Sequence, residues 1–144
     1  MPMTITAATA ADLPAILDLL KSSQLPPDGI EDLGSSTLVA RAAGRIAGCA
    51  ALELYGSFAL LRSVAVNTVL RGQGLGRQLT QAALDLARAR GVRTVYLITE
   101  TAGEFFPRFG FAPIDRARVD PSVKQSVQFT KACPASALVM ELDL

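Results

Sequence analysis

The chain has 144 residues, half of them hydrophobic, which suits one domain with a real core. Fourteen Lys and Arg against 13 Asp and Glu leave a formal net charge of +1, too weak a field for a nucleic-acid binder. The absence of histidine excludes a histidine base, a Ser-His-Asp triad and histidine metal ligands, and no metal is expected.

In chain order, MPMTITAATAADL has no basic segment followed by an apolar run, so no secretory signal is expected. Met3–Ala7 alternates weakly and reads as a strand. Thr9 is placed to cap a helix running through Leu13, Ile16, Leu17 and Leu20. In SSQLPPDG, Pro26, Pro27 and Gly29 break both periodicities and make a loop, with a short helix expected over Ile30–Leu33. Three strands follow as a meander: Ser36–Ala43, then Arg45–Leu54 after a turn at Gly44, then Phe58–Asn67 after a turn at Gly56 and Ser57. The third is mostly apolar, as a strand covered on both faces should be. The two cysteines, Cys49 and Cys133, form no CxxC and read as buried thiols in a cytoplasmic chain. No apolar stretch is long enough to span a membrane.

The stretch VLRGQGLGRQLTQAALDLARARG follows the third strand. Leu75, Leu79, Ala82, Ala83, Leu86 and Ala87 fall on one helical face, and Arg77, Gln78, Gln81, Asp85 and Arg88 on the other. Gly91 takes the position just past the helix end. TVYLIT, Thr94–Thr99, is an apolar strand, so strand, helix and strand form a βαβ unit. Phe105–Phe109 reads as a short helix closed by Gly110. Phe111–Ile114 and Ala137–Leu142 read as a last antiparallel pair, separated by a polar segment, Asp115–Ser136, without clear pattern.

The glycine turn fits neither common nucleotide motif. A P-loop needs GxxxxGK[ST], and a dinucleotide fingerprint would need glycine where Arg77 stands. What remains is a strand end, a turn stripped of side chains and a helix N-terminus. First-turn amides and the helix dipole make an anion site, and Arg71 and Arg77 add charge.

Arg71-Gly72-Gln73-Gly74-Leu75-Gly76 resembles the (Gln/Arg)-x-x-Gly-x-(Gly/Ala) signature of the GNAT acetyltransferases. Val64-Ala65-Val66 is similar to the family's strand before the signature, and FFPRFGF to its late helix-and-strand segment. The resemblance implies the GNAT fold over residues 1–144: an α/β (α+β) domain with a mixed sheet of about six to seven strands, flanking helices and a splayed central strand pair. It implies acetyl-CoA as co-substrate, with its pyrophosphate on the turn from Arg71 to Arg77, Gly72, Gln73, Gly74, Leu75 and Gly76 included. The pantetheine arm would pair with the backbone of Arg62–Val66, with Thr99 and Phe106 alongside. The FF before FGF and the tail FTKACPASALVMEL resemble a subgroup associated with arsenic resistance, whose broader group acts on small amino-acid-like compounds.

The reaction implied is attack of a neutral amine on the thioester carbonyl, with the Val66 amide as oxyanion donor. With histidine absent, a carboxylate must take the amine's proton. Glu53, inside an otherwise apolar strand, is the candidate; Glu100 and Glu104 lie near the same cleft and are expected to be solvated. Many relatives place a tyrosine acid four residues before the glycine of the GF pair, where this chain has Phe106, and Thr99 replaces an asparagine. Tyr55 or water is left to fill the acid role, while Tyr96 reads as a packing residue. Arg62, two residues before Val64 and so expected on the same face, and Arg116 are candidates for an anionic group on a small amine acceptor. Arg118 reads as a surface residue. Gln24 and Leu25 are expected to wall the acceptor pocket. The alternative for Glu53 and Arg62 is a structural ion pair. The alternatives for the whole chain are a non-catalytic CoA-binding sensor and an acetyltransferase of protein amines. No nucleic acid or membrane partner is expected, and a homodimer is left open.

Overall fold

Apolar runs in the first half of the chain build one side of a single sheet. The computed structural model describes residues 3–32, 36–67, 74–99, 104–126, 129 and 137–144. Strands β1 (Thr4–Ala7), β2 (Thr37–Ala42), β3 (Arg45–Tyr55) and β4 (Phe58–Val66) are antiparallel in succession. β4 then pairs in parallel with β5 (Thr94–Thr99) across helix α2 (Leu75–Ala89), as a βαβ unit requires. β7 (Leu138–Asp143) runs antiparallel to β5, and the two-residue β6 (Ala112–Pro113) closes the seven-stranded order β1-β2-β3-β4-β5-β7-β6. The strand count and mixed pairing agree with the expected GNAT fold.

The sheet is covered on both faces. On one, Leu75, Leu79, Ala83, Leu84 and Ala87 of α2 pack on Leu38, Ala50, Leu52, Leu61, Val95 and Leu97. On the other, Ile16, Leu19 and Leu20 of α1 (Leu13–Ser22) cover Val39, Cys49, Ala51 and Ala65. Val123 of α3 (Pro121–Lys124) covers Leu60, Tyr96 and Val139 on that same face. Tyr96 is a packing residue, stacked on Phe58 with ring centroids 6.1 Å apart.

Several elements differ from the sequence reading. The buried stripe of α2 includes Thr80 and Leu84, while Ala82 and Leu86 lie at its margin. Thr80 is tolerated inside because its hydroxyl donates to Gly76 O at 2.8 Å. The helix expected at Ile30–Leu33 is a single 3₁₀ turn over Ile30–Asp32, and Leu33 lies outside the described residues. The patternless segment contains a 3₁₀ turn (Arg116–Arg118) and α3, whose start is fixed by the Asp120 carboxylate accepting from Ser122 N at 3.0 Å. Among the described residues, no helix is long and apolar enough to cross a membrane.

The largest departure is a bulge in β4. Cys49 pairs with Ala65 and Ala51 with Arg62, so Ser63 and Val64 together face Ala50. Ser63 takes φ 59°, a left-handed conformation that costs about 1–2 kcal/mol for a residue with a Cβ. An extra residue of this kind reverses the in-out alternation beyond it. Before the bulge, Leu61 faces α2 and Leu60 faces α3; after it, Val64 and Val66 face α2 and Ala65 faces α1. Arg62 and Val64 are therefore on opposite faces, not the shared face that strict alternation predicts.

The N-terminal helix is anchored to the sheet by one ion pair. Asp12 N donates to Thr9 O at 3.0 Å and Thr9 N donates to the Asp12 carboxylate at 2.8 Å, so Thr9 opens the helical segment as expected. Arg41 of β2 donates to both carboxylate oxygens of Asp12, at 2.9 and 2.6 Å. The Arg41 guanidinium first, and the Thr9 amide second, hold the Asp12 carboxyl well below the usual carboxylate range. A depressed folded-state pKa stabilises the fold above the unfolded value of about 3.9 and ceases to do so as pH falls through the folded value. Asp12→Asn should lower the thermal midpoint at pH 7, and the gap to the parent should narrow steadily below about pH 4. A gap independent of pH would show that the carboxylate is not what stabilises the helix start.

Candidate functional site

Two backbone features meet at one end of the sheet. The ladder between β4 and β5 runs from Phe58↔Thr94 to Leu61↔Leu97, whereas β4 continues to Val66 and β5 to Thr99. The two strands thus part at the bulge, giving the expected splay. Gly74 caps α2 with φ 81°, and Gln78 N makes the first intrahelical bond back to Gly74 O at 3.1 Å. The amides of Leu75, Gly76 and Arg77 lie ahead of any intrahelical acceptor, which with the helix dipole suits this terminus to an anion. Arg71, Gly72 and Gln73 lie outside the described residues.

These features are in contact. A methyl group at Gly76 would meet Val66 Cγ2 at 3.7 Å and Phe105 Cζ at 3.8 Å, so the first turn of α2 rests on the end of β4. Leu75, Val64, Val66, Phe105 and Phe106 belong to one apolar cluster. Phe106 is buried there, edge-on to Phe105 at 5.1 Å and to Phe111 at 5.9 Å. Ala65 is buried on the α1 face. Arg77 is exposed, in a shallow groove with Ile5, Gln78, Gln81 and Asp85. Thr99 is half-buried at the end of β5, opposite Leu138 of β7.

Glu53 and Arg62 come together in the interior. Arg62 Nη1 lies 3.0 Å from Glu53 Oε2, and the two side chains are 2% and 8% exposed. The Tyr55 hydroxyl donates to Glu53 Oε1 at 2.5 Å. Burial, then the Glu53 carboxylate, push the Tyr55 phenol up to about 12, so it stays protonated near neutral pH. Arg62 also donates from Nη1 to Asp28 O at 2.5 Å, from Nη2 to Pro26 O at 3.1 Å and from Nε to Ser63 Oγ at 3.0 Å. These bonds take up four of the five guanidinium donors of a buried side chain, which gives an acceptor carboxylate little access to it. The structural ion pair is thus present, enlarged by a tyrosine and two loop carbonyls.

The other candidates are more dispersed. Gln24 ends α1 with φ 57°, its amide donating to Lys21 O and that of Leu25 to Leu20 O. This turns Leu25 back onto the α1 cluster and leaves Gln24 exposed. Arg116, half-buried, lies 5.6 Å above the Phe129 ring, on the α3 side of the sheet, and Arg118 is exposed. Glu104 is exposed as expected, and Glu100 and Cys133 lie outside the described residues. Cys49 is a buried thiol, pushed up to about 12 by burial. The Pro26 and Asp28 carbonyls and the Ser63 bulge were not legible beforehand. Only the proline pair, which removes two amides and leaves nearby carbonyls seeking donors, pointed toward them.

Comparison with known proteins follows this geometry. A family model described as "Acetyltransferase (GNAT) domain" matches residues 34–113. An amino-acid acetyltransferase of Mycobacterium tuberculosis is 35% identical over 82 residues, 56% of this chain and 46% of that protein. One of Aeromonas salmonicida is 30% identical over 121 residues, 76% of this chain and 27% of that protein. The chain spans about half the length, or less, of these curated relatives. N-acetylglutamate synthase from Neisseria gonorrhoeae, complexed with coenzyme A and N-acetyl-glutamate, superposes with a TM-score of 0.85 at 20% identity, over 100% of this chain and 35% of that one. With more than half of the chain inside the family model, the chain belongs to the GNAT acetyltransferase family.

Proposed function

We propose that this chain is an N-acetyltransferase that moves the acetyl group of acetyl-CoA to the amine of a small amino-acid-like acceptor. The observation that carries the proposal is the contact between the N-terminus of α2 and the splayed end of β4. One extended ligand can there place an anion on the helix and an acyl group on the strand. Two amino-acid acetyltransferases among the relatives support an amino-acid-like acceptor. An arsenical of that shape belongs to the same acceptor class and rests on the tail resemblance alone. A cytoplasmic location is part of the same reading, in keeping with the buried free thiol of Cys49.

In this reading acetyl-CoA supplies a thioester whose carbonyl the amine attacks; the C–N bond forms, the C–S bond breaks and the thiolate leaves. The turn from Arg71 to Arg77 holds the pyrophosphate. The backbone of Val64, Ala65 and Val66 aligns the pantetheine arm, beside Thr99 and Phe106. The Val66 amide stabilises the developing oxyanion, a contribution of about 3 kcal/mol for one donor. Alignment of the two substrates contributes up to roughly 7–11 kcal/mol. Gln24, Leu25 and Arg116 border the acceptor, Arg116 facing its anionic group. Glu53 receives the amine's proton through the Tyr55 hydroxyl, which already donates to it.

The test is thiol release from acetyl-CoA over a panel of free amino acids and amino-acid-like arsenicals and phosphinates. Turnover with at least one is expected. Phe106→Tyr should change the rate far less than the roughly 100-fold that a well-placed general acid supplies, since the ring is buried among phenylalanines. A parent chain inert toward every amine, with an active Tyr variant, would instead establish the sensor.

A further inference from the structure

We infer that Arg62 is a positioning residue: it locks the loop after α1, residues 24–28, into the shape that admits the acceptor, and ties that loop to the bulge in β4. The inference rests on the proposed reading of this loop as the acceptor wall. Its basis is the Arg62 guanidinium, which engages three separate stretches of chain: Pro26 and Asp28 in the loop, Glu53 in β3 and Ser63 in the bulge.

The loop needs an outside donor. Pro26 and Pro27 have no amide hydrogens, so this stretch has fewer ways of tying its backbone to itself. Its ends are fixed, because Gln24 and Leu25 close α1 at one end and the turn at Ile30–Asp32 follows the other. Arg62 fixes the middle. A planar guanidinium with donors in a rigid fork sets direction as well as distance, which a lysine ammonium cannot reproduce. A buried ion pair adds little net stability over well-packed apolar residues, so the geometry it imposes is its distinguishing product. Glu53 balances the charge, and Tyr55, whose hydroxyl donates to it, holds Glu53 in place.

The device acts on one substrate. Arg62 lies on the sheet face covered by α1 and α3, while Val64 and Val66, past the bulge, face α2 and its N-terminus. Loosening the fork should disturb the acceptor side and spare the acetyl-CoA side.

The experiment uses the full chain with Arg62→Lys, which keeps a positive charge beside Glu53 and removes the fork. The acceptor is the best L-amino acid substrate of the parent chain. The acceptor KM is expected to rise by about 10-fold or more, since small misplacements of positioning groups have effects of that order. The acetyl-CoA KM should stay within about two-fold, uniform binding at that site being untouched. Amide exchange should quicken at Ile30, which donates to Pro27 O between the clamped carbonyls, and at Asp32, which donates to Gly29 O just beyond them. A native acceptor KM in a folded, active Arg62→Lys protein overturns the inference, and so does an equal rise in both KM values. Should Arg62→Lys fail to fold, Pro26→Gly loosens the same loop with Arg62 intact and should raise the acceptor KM alone; an unchanged value overturns the inference. A parent chain without activity toward any acceptor sinks the acceptor-wall reading and this inference together, and shows itself before any variant is made.

Discussion

A folded Gly74→Val protein is expected to bind acetyl-CoA at least 10- to 100-fold more weakly than the parent chain. Gly74 holds φ 81° as the cap of α2, a conformation that a β-branched residue resists. The strain is about 1–3 kcal/mol, and 1.4 kcal/mol corresponds to a tenfold change in affinity. The chain can relieve it only by turning the cap, which re-aims the first-turn amides. The fold should survive, because among the described residues, chain neighbours aside, no atom lies within 4 Å of a Cβ at Gly74, and the buried side of α2 begins at Leu75. Calorimetric titration with acetyl-CoA alongside a circular dichroism melt separates the two effects. Undiminished affinity in a folded variant would remove the anion site from this helix.

Arg62→Ala is expected to destabilise the chain by about 3–5 kcal/mol, a large part of the 5–15 kcal/mol typical of a whole domain. The substitution leaves the Glu53 carboxylate buried without its cation and two loop carbonyls without a donor. Glu53→Gln should cost less, about 1–3 kcal/mol, because the amide oxygen can still accept from Arg62 while the amide NH2 donates to the Tyr55 hydroxyl, and the loop carbonyls stay on the guanidinium. The double variant Arg62→Met with Glu53→Leu should be more stable than Arg62→Ala alone, because no uncompensated charge remains. Urea denaturation of the three proteins decides it. A loss below about 1 kcal/mol for Arg62→Ala would mean that water reaches the pair and that its burial confers nothing. Kinetics on folded Glu53→Gln addresses the other proposed role: if Glu53 takes the amine's proton, kcat falls most at low pH and recovers as the amine deprotonates unaided.

Much of the fold was legible because it rests on repetition. The 3.6-residue spacing from Leu75 to Ala87 specified α2, and apolar runs between Gly44, Gly56 and Gly91 specified the strands they separate. The start of α2 was legible because the positive φ at Gly74 is one that glycine takes readily. The bulge was not, since LRSVAV reads as part of one mostly apolar strand and serine has no special preference for a positive φ. The partners of Arg62 were hidden for a different reason. Glu53 stood out as a charge among apolar neighbours, but a backbone carbonyl belongs to every residue, so beyond the proline pair nothing in the sequence marked Pro26 and Asp28 as acceptors. Asp120 and Pro121, an acid followed by proline, did carry a helix-start signal for α3, and it was lost in a segment of otherwise polar character.

The single extra residue at Ser63 gives β4 two parities. Up to Arg62, even-numbered side chains belong to the layer of α1 and α3; from Val64 onward they belong to the layer of α2. One strand thereby serves two chambers, with Arg62 working in the first and Val64 and Val66 lining the second. Ironing the bulge flat, with Ser63 taken into the regular ladder, would act like a frameshift written in space, sending Val64 and Val66 into the chamber of α1 and Ala65 into that of α2, with every name in the sequence unchanged; deleting Ser63 outright would restore plain alternation and leave all three where they are.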